Sequence, residues 1–253
     1  MQKTNLYPML LEPVLLVKVW GGRRLETVMH KTLPTTEPYG ESWEMHDSCK
    51  VANGALRDRT LGALLSEYGA DLIGELSDPN DGLPLLVKLI DATDWLSVQV
   101  HPNDDQARAL EGEPRGKTEA WYVIDAEPDS RLVIGVDPKA GRDEVSEAVR
   151  AHRLEDMLVY TDVSAGDVLY VAAGTIHALG PGVMVYEIQE SSDITYRFYD
   201  WGRMGLDGKP RPLHIDKALE VARLGRLPVL RYIGGEADPV VSVVESPFFR
   251  TVL

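Results

Sequence analysis

Cysteine is nearly absent from this chain of 253 residues, in which Cys49 is the single example. An intrachain disulfide therefore cannot form, and a reducing compartment, the cytoplasm, is the expected location. No catalytic signature surrounds Cys49, so we interpret it as a small buried apolar residue and not as a nucleophile.

Long apolar runs are missing as well. The longest candidates, such as residues 84–90, are far shorter than the roughly 20 residues that span a bilayer. The apolar stretch near the start is interrupted by Pro8, Glu12 and Pro13, and no small-residue cleavage site follows it. We therefore predict neither a membrane partner nor a signal peptide.

Basic residues are few compared with acidic ones. The chain has 26 Lys and Arg against 40 Asp and Glu, a formal charge of −14. Repulsion from phosphates argues against nucleic acid as the main partner. The hydrophobic content of 44% and the chain length suffice for a packed core in one large domain or two small ones. The sequence does not define an oligomeric state.

Short β-rich runs bounded by glycine, proline and aspartate dominate the chain, which favours a sandwich or barrel over alternating β and α units. Strands are predicted at 14–20, 85–90, 96–101, 120–125, 131–136, 167–173, 183–189, 195–201 and 239–245. Helices are predicted over 60–76, 104–110, 142–152 and 215–224. Asn103 is expected to cap the second helix, and a loop, GRMGLDGKPRP, precedes the last.

The segment LSVQVHPND alternates apolar and polar residues. Alternate residues of a strand lie on one face, so Ser97, Gln99 and His101 are expected together. Such a face is typical of a solvent-exposed strand. It is also typical of a metal site on a sheet, because an amide and an imidazole stand two residues apart.

A second segment, GDVLYVAAGTIHAL, has a turn, a strand, Gly174 and then His177. Its spacing resembles the second sequence motif of the cupins, small β-barrels that hold a metal in the barrel mouth, although Ala172 replaces the usual proline. Glycine permits the tight turns, and the bend is expected to aim His177 inward. A histidine that merely caps the strand end is the alternative.

The segment GKTEAWYVI places Lys117 and Glu119 at the entrance to a strand, where both can face one side. A solvated ion pair is the ordinary interpretation. With the two preceding segments, however, Glu119 completes a set of nitrogen and oxygen donors. The set Gln99, His101, Glu119 and His177 has the number and kind of ligands that a four- or five-coordinate Zn²⁺ needs.

These motifs in combination resemble the type I mannose-6-phosphate isomerase (phosphomannose isomerase) family in its short bacterial and archaeal form. The matching segments extend over roughly residues 8–220. They are WGGRRL, GESWE, LLVKLIDATDWLSVQVHPND, GKTEAWYVI, GTIHALG and VYEIQESSDITYRFYDWGR. The most specific part is QVHPND together with GKTE and SSDITYRFYDWGR.

The resemblance implies a mainly β fold, a cupin-type jelly-roll β-barrel with added helices, and one Zn²⁺ per chain held by the four donors above. It also implies Arg197 as a catalytic arginine and Glu187 as an acid near the sugar. Ser97, Lys88 and Lys117 are expected to line the substrate pocket or to meet the phosphate.

The implied reaction interconverts mannose 6-phosphate and fructose 6-phosphate by moving a proton between C1 and C2 through an enediol. Zn²⁺ would stabilise the developing oxyanion as a Lewis acid. Glu187 and Lys117 are both candidates for the general base. Arg197 can fork onto enediolate or phosphate oxygens, and its alternative role is a structural ion pair with Asp193 or Asp200.

The C-terminal part departs from the family pattern. The family usually continues into a second, degenerate β-barrel, whereas this sequence stops at SPFFRTVL within a predicted strand. We therefore expect a single cupin-type isomerase domain over residues 1–253, of which roughly 230–253 begins a second barrel that is truncated or reduced.

Two other classes of protein are compatible with the donor set. An Fe(II) cupin dioxygenase normally has a histidine where this chain has Gln99, and a sugar-binding cupin without catalysis would not need Lys117, Glu187 and Arg197. The expected partner is thus a small sugar phosphate, whose negative charge requires a local positive pocket in this acidic chain.

Overall fold

The computed structural model describes residues 5–233 and 240–252 of the chain. Strands dominate it, as the prediction of a mainly β fold requires. They are β1 (Leu11–Glu12), β2 (Val14–Gly22), β3 (Tyr39–Met45), β4 (Lys50–Val51), β5 (Leu85–Asp91), β6 (Val98–Val100), β7 (Glu119–Ala126), β8 (Arg131–Val136), β9 (Leu158–Asp162), β10 (Asp167–Val171), β11 (Ala178–Leu179), β12 (Val183–Glu190), β13 (Tyr196–Tyr199), β14 (Leu230–Tyr232), β15 (Ser242–Glu245) and β16 (Arg250–Val252).

Short helices connect the strands. They are α1 (Arg24–Thr27), α2 (Leu61–Tyr68), α3 (Ala70–Ile73), α4 (Asp104–Glu111), α5 (Arg142–Arg150) and α6 (Ile215–Val221), with 3₁₀ turns at Pro79–Asp81 and Leu154–Met157. Within residues 5–233 and 240–252, no helix is both long enough and apolar enough to cross a bilayer.

Two layers of antiparallel strands build the barrel. The larger sheet has seven strands in the order β14-β10-β7-β12-β5-β3-β2. The smaller layer contains the sheet β11-β8-β9 and the pair β13-β6, and a bridge between Gln99 and His177 links its two parts. Trp121 and Val185 of the large sheet pack with Leu132 and Leu179 of the small layer, so an apolar core closes one part of the barrel.

A second core lies outside the small layer. Val98 and Val100 of β6 are fully buried there, together with Phe198 of β13 and Ala218 of α6. Because strand residues alternate between faces, Gln99 must point the other way, into the barrel. The predicted polar face of this strand is therefore an interior face, and solvent exposure is the wrong interpretation of it.

The predicted helices exist, but their bounds differ. Residues 60–76 form α2 and α3 with a break at Gly69, whose φ of +54° is a conformation that glycine adopts without strain. Asn103 caps α4 as predicted, and Gln106 completes a capping box. The longer strands β3 and β9 were not predicted, and neither were the short strands β1, β4, β11 and β14.

The C-terminal residues cover the outer face of the large sheet. β14 pairs with β10 at the sheet edge. β15 and β16 form a hairpin whose Val243 and Phe249 pack with Ala120 and Val168. Of the predicted strand 239–245, Pro239 lies outside the described residues. The interpretation of this region as the start of a second barrel stays a prediction.

A buried ion pair fastens the segment after β2 to the large sheet. Asp91 at the end of β5 is fully buried and accepts from both the backbone N–H and the Nε of Arg24, each at 2.7 Å. The same guanidinium donates to the carbonyl of Gly182 at 2.8 Å. Three chain segments thus depend on one carboxylate.

Asp91→Ala should lower the free energy of unfolding by about 3–5 kcal/mol, because it leaves the largely buried Arg24 with only the half-exposed Asp125, at 3.4 Å, as a carboxylate partner in the described ranges. Asp94 offers a matched control, since its side chain is 57% exposed and Asp94→Ala should cost less than about 1 kcal/mol. Urea denaturation of both variants measures the difference. Equal losses would contradict the role given to Asp91.

Candidate functional site

Three donor side chains meet inside the barrel. Nε2 of His177 lies 3.2 Å from one oxygen of Glu119, and Nε2 of His101 lies 3.7 Å from the other. One ligand atom from each of the three side chains lies within 4.8 Å of the other two. Exposure is 1% for His101 and zero for Glu119 and His177, so water does not solvate this cluster.

The strand register brings these residues together. Gln99 and His177 exchange two backbone hydrogen bonds of 3.0 Å, which places His177 beside the strand that precedes His101. Glu119 is the first residue of β7 in the opposite sheet. The cluster therefore forms where the two layers approach each other, from segments that are distant in sequence.

Both imidazoles have a fixed tautomer. Nδ1 of His101 lies 2.8 Å from the carbonyl oxygen of Ile194, and Nδ1 of His177 lies 2.8 Å from that of Thr175. A carbonyl only accepts, so each Nδ1 bears the hydrogen and each Nε2 presents its lone pair to Glu119. Metal-ligating histidines are typically oriented in this way by a partner on the other nitrogen.

The local charges favour the ligand forms of these groups. Burial lowers the pKa of His101 well below its usual value, and the neighbouring Lys117 lowers it further. Burial alone would raise the pKa of Glu119, but the opposing interactions, of which the charge of Lys117 is the largest, hold the pKa well below its usual range. A neutral imidazole and an ionised carboxylate are the forms that bind metal ions.

The cluster also lacks the partners that buried polar atoms need. In the described part of the chain, Nε2 of His101 and both carboxylate oxygens of Glu119 have no hydrogen-bond partner of good geometry. Leaving such atoms unsatisfied in the interior costs several kcal/mol. Two imidazoles and a carboxylate suit a divalent transition-metal ion or Zn²⁺, so the residues present fit a metal centre.

Gln99, the fourth predicted ligand, lies at the edge of this cluster. Its Nε2 is 3.4 Å from Nε2 of His177, and its Oε1 is 3.3 Å from the hydroxyl of Ser97. A rotation of the amide by 180° exchanges the nitrogen and the oxygen, which have nearly the same shape. Its oxygen would then face the cluster.

A cavity of about 160 Å³ adjoins the cluster. Its wall includes Gln99, Ser97 and Trp121 together with two glutamates, Glu41 and Glu187. Its cationic side chains are Lys18, Lys88, Lys117, Arg197 and Arg211. The predicted residues Ser97, Lys88, Lys117, Glu187 and Arg197 thus line one cavity, and cations outnumber carboxylates there although the chain is acidic.

The lysines of this cavity are paired with glutamates. Lys18 lies 3.0 Å from Glu41, Lys88 lies 3.2 Å from Glu187, and Lys117 lies 3.0 Å from Glu119. Burial alone would raise the pKa of Glu41, but Lys88 and Lys18 outweigh it and lower that pKa to about 2. The Lys117–Glu119 pair is buried, so its interpretation as a solvated surface pair is wrong.

Arg197 has a different environment. Nη1 donates to the carbonyl of Pro212 at 2.9 Å, and Nε is buried without a hydrogen-bond partner. The alternative ion pair with Asp193 or Asp200 does not occur among the described residues. Burial and then the positive charge of Arg211 lower the pKa of Arg197, so the guanidinium would gain from an anion.

A larger cavity of about 880 Å³ lies beside the first and shares Thr195 with it. Its acidic lining consists of Asp47, Asp81, Glu111, Glu113, Asp193 and Asp216. Only Arg115 and Lys217 oppose these six carboxylates, apart from histidines. This cavity is larger, but its charge does not suit an anionic ligand.

Several polar residues of the site, among them Glu41, were not predicted from the sequence. Trp121 donates from Nε1 to Glu187 at 2.8 Å, and Lys18 and Arg211 line the small cavity. Trp121 alternates with Glu119 along β7, so the strand pattern could have indicated it. Arg211 lies in a loop without periodicity, and no sequence signal pointed to it.

The fold and the site together define a β-barrel of the cupin type with a candidate metal centre beside a polar cavity. The family model "Phosphomannose isomerase type I, catalytic domain" matches residues 9–137. The chain is 37% identical to a mannose-6-phosphate isomerase of Streptococcus mutans, over 96% of this chain and 77% of that protein. Mannose-6-phosphate isomerase ManA of Bacillus subtilis is 36% identical, over 87% of this chain and 70% of that protein.

A solved structure supports the same conclusion. The crystal structure of a mannose 6-phosphate isomerase from Bacillus subtilis matches with a TM-score of 0.87 and 32% identity, over 97% of this chain and 79% of that one. This chain belongs to the type I phosphomannose isomerase family. The predictions of a cupin fold and of an isomerase of this family are confirmed, and the dioxygenase and non-catalytic alternatives are set aside.

Glu119→Gln should remove the metal ion, because an amide replaces the one anionic donor of the cluster. Loss of even an outer partner weakens metal binding about 10–100-fold, so loss of a direct donor should weaken it by at least about 100-fold. Glu187→Gln, in the adjoining cavity, is the matched control and should keep its metal. Elemental analysis after dialysis tests both variants. Full metal content in the Glu119 variant would contradict the assignment.

Proposed function

We propose that this chain interconverts mannose 6-phosphate and fructose 6-phosphate in the cytoplasm, using one Zn²⁺ ion held by Gln99, His101, Glu119 and His177. Membership of the family supports the reaction. The observation that supports the metal most directly is the buried cluster of His101, Glu119 and His177 with its unpartnered ligand atoms.

The reaction sets the requirements of the site. A proton must leave C2 of the aldose and return to C1 of the ketose, and the C–H bond is a very weak acid. The negative charge that develops on the sugar oxygens must therefore be stabilised, and a base must stand within hydrogen-bond reach of the C–H. Zn²⁺ would supply Lewis acidity to these oxygens without redox chemistry.

We assign the proton transfer to Glu187. Its Oε2 is held by Trp121, and its Oε1 lies 3.2 Å from Lys88. Its residue exposure of only 3% keeps bulk water away. Glu187 also lines the cavity, so its carboxylate is placed where it can meet the sugar. Lys117 is the other candidate base, and the variants below separate the two.

Lys117 and Arg197 would stabilise charge on the substrate. Lys117 is 6% exposed, and its Nζ stands beside Glu119 at the cavity wall. Arg197 pairs in register with Gln99, so its guanidinium starts from a position next to the proposed metal ligand. Cations preorganised in a water-poor cavity stabilise an oxyanion more strongly than they would in water. Ser97 would contribute a hydroxyl to the sugar.

A coupled assay that consumes fructose 6-phosphate should detect turnover of mannose 6-phosphate by the purified chain. A chelator should abolish this turnover, and Zn²⁺ should restore it, because the proposed reaction needs a Lewis acid at the sugar oxygens. Unchanged activity in protein shown by elemental analysis to be free of metal would exclude Zn²⁺ from the mechanism. Restoration by Fe²⁺ and not by Zn²⁺ would overturn its identity.

Lys117→Ala and Arg197→Ala should each abolish measurable turnover while circular dichroism shows an intact fold. Glu187→Gln should lower kcat by about 10²–10⁴-fold, the usual contribution of a general base. Exchange of solvent deuterium into the sugar identifies the base, because without the base no proton is abstracted, whereas loss of a stabilising cation slows exchange and leaves it detectable on long incubation. Exchange that persists in the Glu187 variant and stops in the Lys117 variant would reassign the role to Lys117.

A further inference from the structure

Two arginines of the cavity wall, Arg197 and Arg211, and Arg203 behind them form a group whose charge the described residues do not fully compensate. Arg197 has no carboxylate partner among the described residues. Arg203 and Arg211 both bind Asp200, which is 6% exposed. Arg203 has a second, largely exposed partner in Asp94 at 3.4 Å. Two guanidiniums therefore share one buried carboxylate and that of Arg197 has none among the described residues, while each cavity lysine has a glutamate of its own.

Arg211 is held rigidly at the cavity wall. Its Nε donates to Oδ2 of Asp200 at 2.7 Å, and its Nη2 donates to Oδ1 of the same carboxylate. This two-point contact fixes the plane of the guanidinium. Two of its five N–H bonds are used in this way, and its Nη1 makes no hydrogen bond to any residue in the described ranges. Arg211 thus keeps donors for a ligand.

The backbone around Arg211 closes onto the strand of Arg197. A short hairpin between Met204 and Pro210 ends just before Arg211. Pro212 then accepts from the guanidinium of Arg197, and the N–H of His214 donates to the backbone carbonyl of Arg197 at 2.9 Å. Both guanidiniums therefore face one cavity from neighbouring positions.

A phosphate dianion has no better place near the metal cluster. Lys88, which the sequence suggested for the phosphate, is already between Glu187 and Glu41, at 3.2 and 4.0 Å. The larger neighbouring cavity is lined by six carboxylates and would repel a dianion. The excess positive charge lies at the arginines, and a guanidinium matches the geometry of phosphate oxygens.

We propose that Arg211 binds the phosphate of the sugar substrate and that Asp200 is a positioning residue that holds its guanidinium at the cavity. Arg197 lies between this phosphate subsite and the proposed metal ligand Gln99. The sugar therefore lies with its phosphate toward Arg211 and its reacting carbons toward the cluster of His101, Glu119 and His177. This inference rests on the proposed function, because it names the residue that selects phosphorylated sugars.

The test compares Arg211→Met and Arg211→Lys with wild type in the metal-loaded enzyme. Arg211→Met should raise the KM for mannose 6-phosphate and the inhibition constant of inorganic phosphate in parallel, by about 10–100-fold. It should change kcat much less, because binding to a remote group is lost. Arg211→Lys keeps the charge and should recover part of the affinity. A merely structural role in the loop would instead lower kcat, since Arg197 depends on Pro212.

Arg203→Met is the matched control, because Arg203 binds the same carboxylate but does not line the cavity. It should leave both constants within about threefold of wild type, since the phosphate donors remain. Equal increases in the two Met variants, or unchanged constants in Arg211→Met, would overturn the inference.

Calorimetric binding of inorganic phosphate separates the proposals: if wild type binds phosphate through Arg211 yet does not turn over mannose 6-phosphate, only the proposed function fails.

Discussion

The burial of Glu119 is the constraint on which the rest of this structure depends. A fully buried carboxylate faces two imidazole lone pairs and the ammonium of Lys117, and in the described part of the chain its oxygens lack hydrogen bonds of good geometry. An arrangement of this kind is expensive in a protein interior unless a cation binds to it. The bridge between Gln99 and His177 and the inward face of β7 are the means by which the fold assembles it.

Charge compensation divides the cavity into two ends. Lysines and glutamates alternate near the metal cluster, so this end is nearly neutral and can respond to charge that develops on the substrate. Arginines dominate the other end and have fewer carboxylates than they need. A chain with a formal charge of −14 thus offers an anion one small interior region with an excess of cations, while the neighbouring acidic cavity repels the same ligand.

Much of this could be predicted from the sequence, because the informative signals were local. Alternation placed Ser97, Gln99 and His101 on one face, and two short motifs supplied Glu119 and His177. The strand β3 was not predicted because its polar residues do not look like strand residues in the sequence. In the fold, Glu41 and Glu44 of this strand form ion pairs with Lys18 and Lys31, which only the tertiary structure provides. Helix 60–76 was predicted as continuous because a glycine such as Gly69 within a periodic pattern does not by itself indicate a turn.

The contribution of Arg211 could not be predicted for a related reason. It lies in an irregular loop. Its role depends on its contact with Asp200, on the neighbouring Pro212 and on the absence of a carboxylate partner for Arg197 among the described residues. These are contacts in the folded protein that no interval in the sequence reveals. Similarly, Lys88 was expected to line the pocket or to meet the phosphate. Its pairing with Glu41 and Glu187 is the reason that we assign the phosphate to Arg211 instead. Sequence patterns identified the residues with reactive or charged side chains. The fold determines which of these side chains already have a partner in the protein and which can bind a ligand.

The location of the metal tests the central claim most directly. Anomalous diffraction at the zinc absorption edge, from crystals of the enzyme grown with Zn²⁺, should show one strong peak about 2.0–2.2 Å from Nε2 of His101, Nε2 of His177 and an oxygen of Glu119. A fully active enzyme whose crystals bind zinc elsewhere, with these three side chains in contact only with Lys117 and one another, would contradict the account.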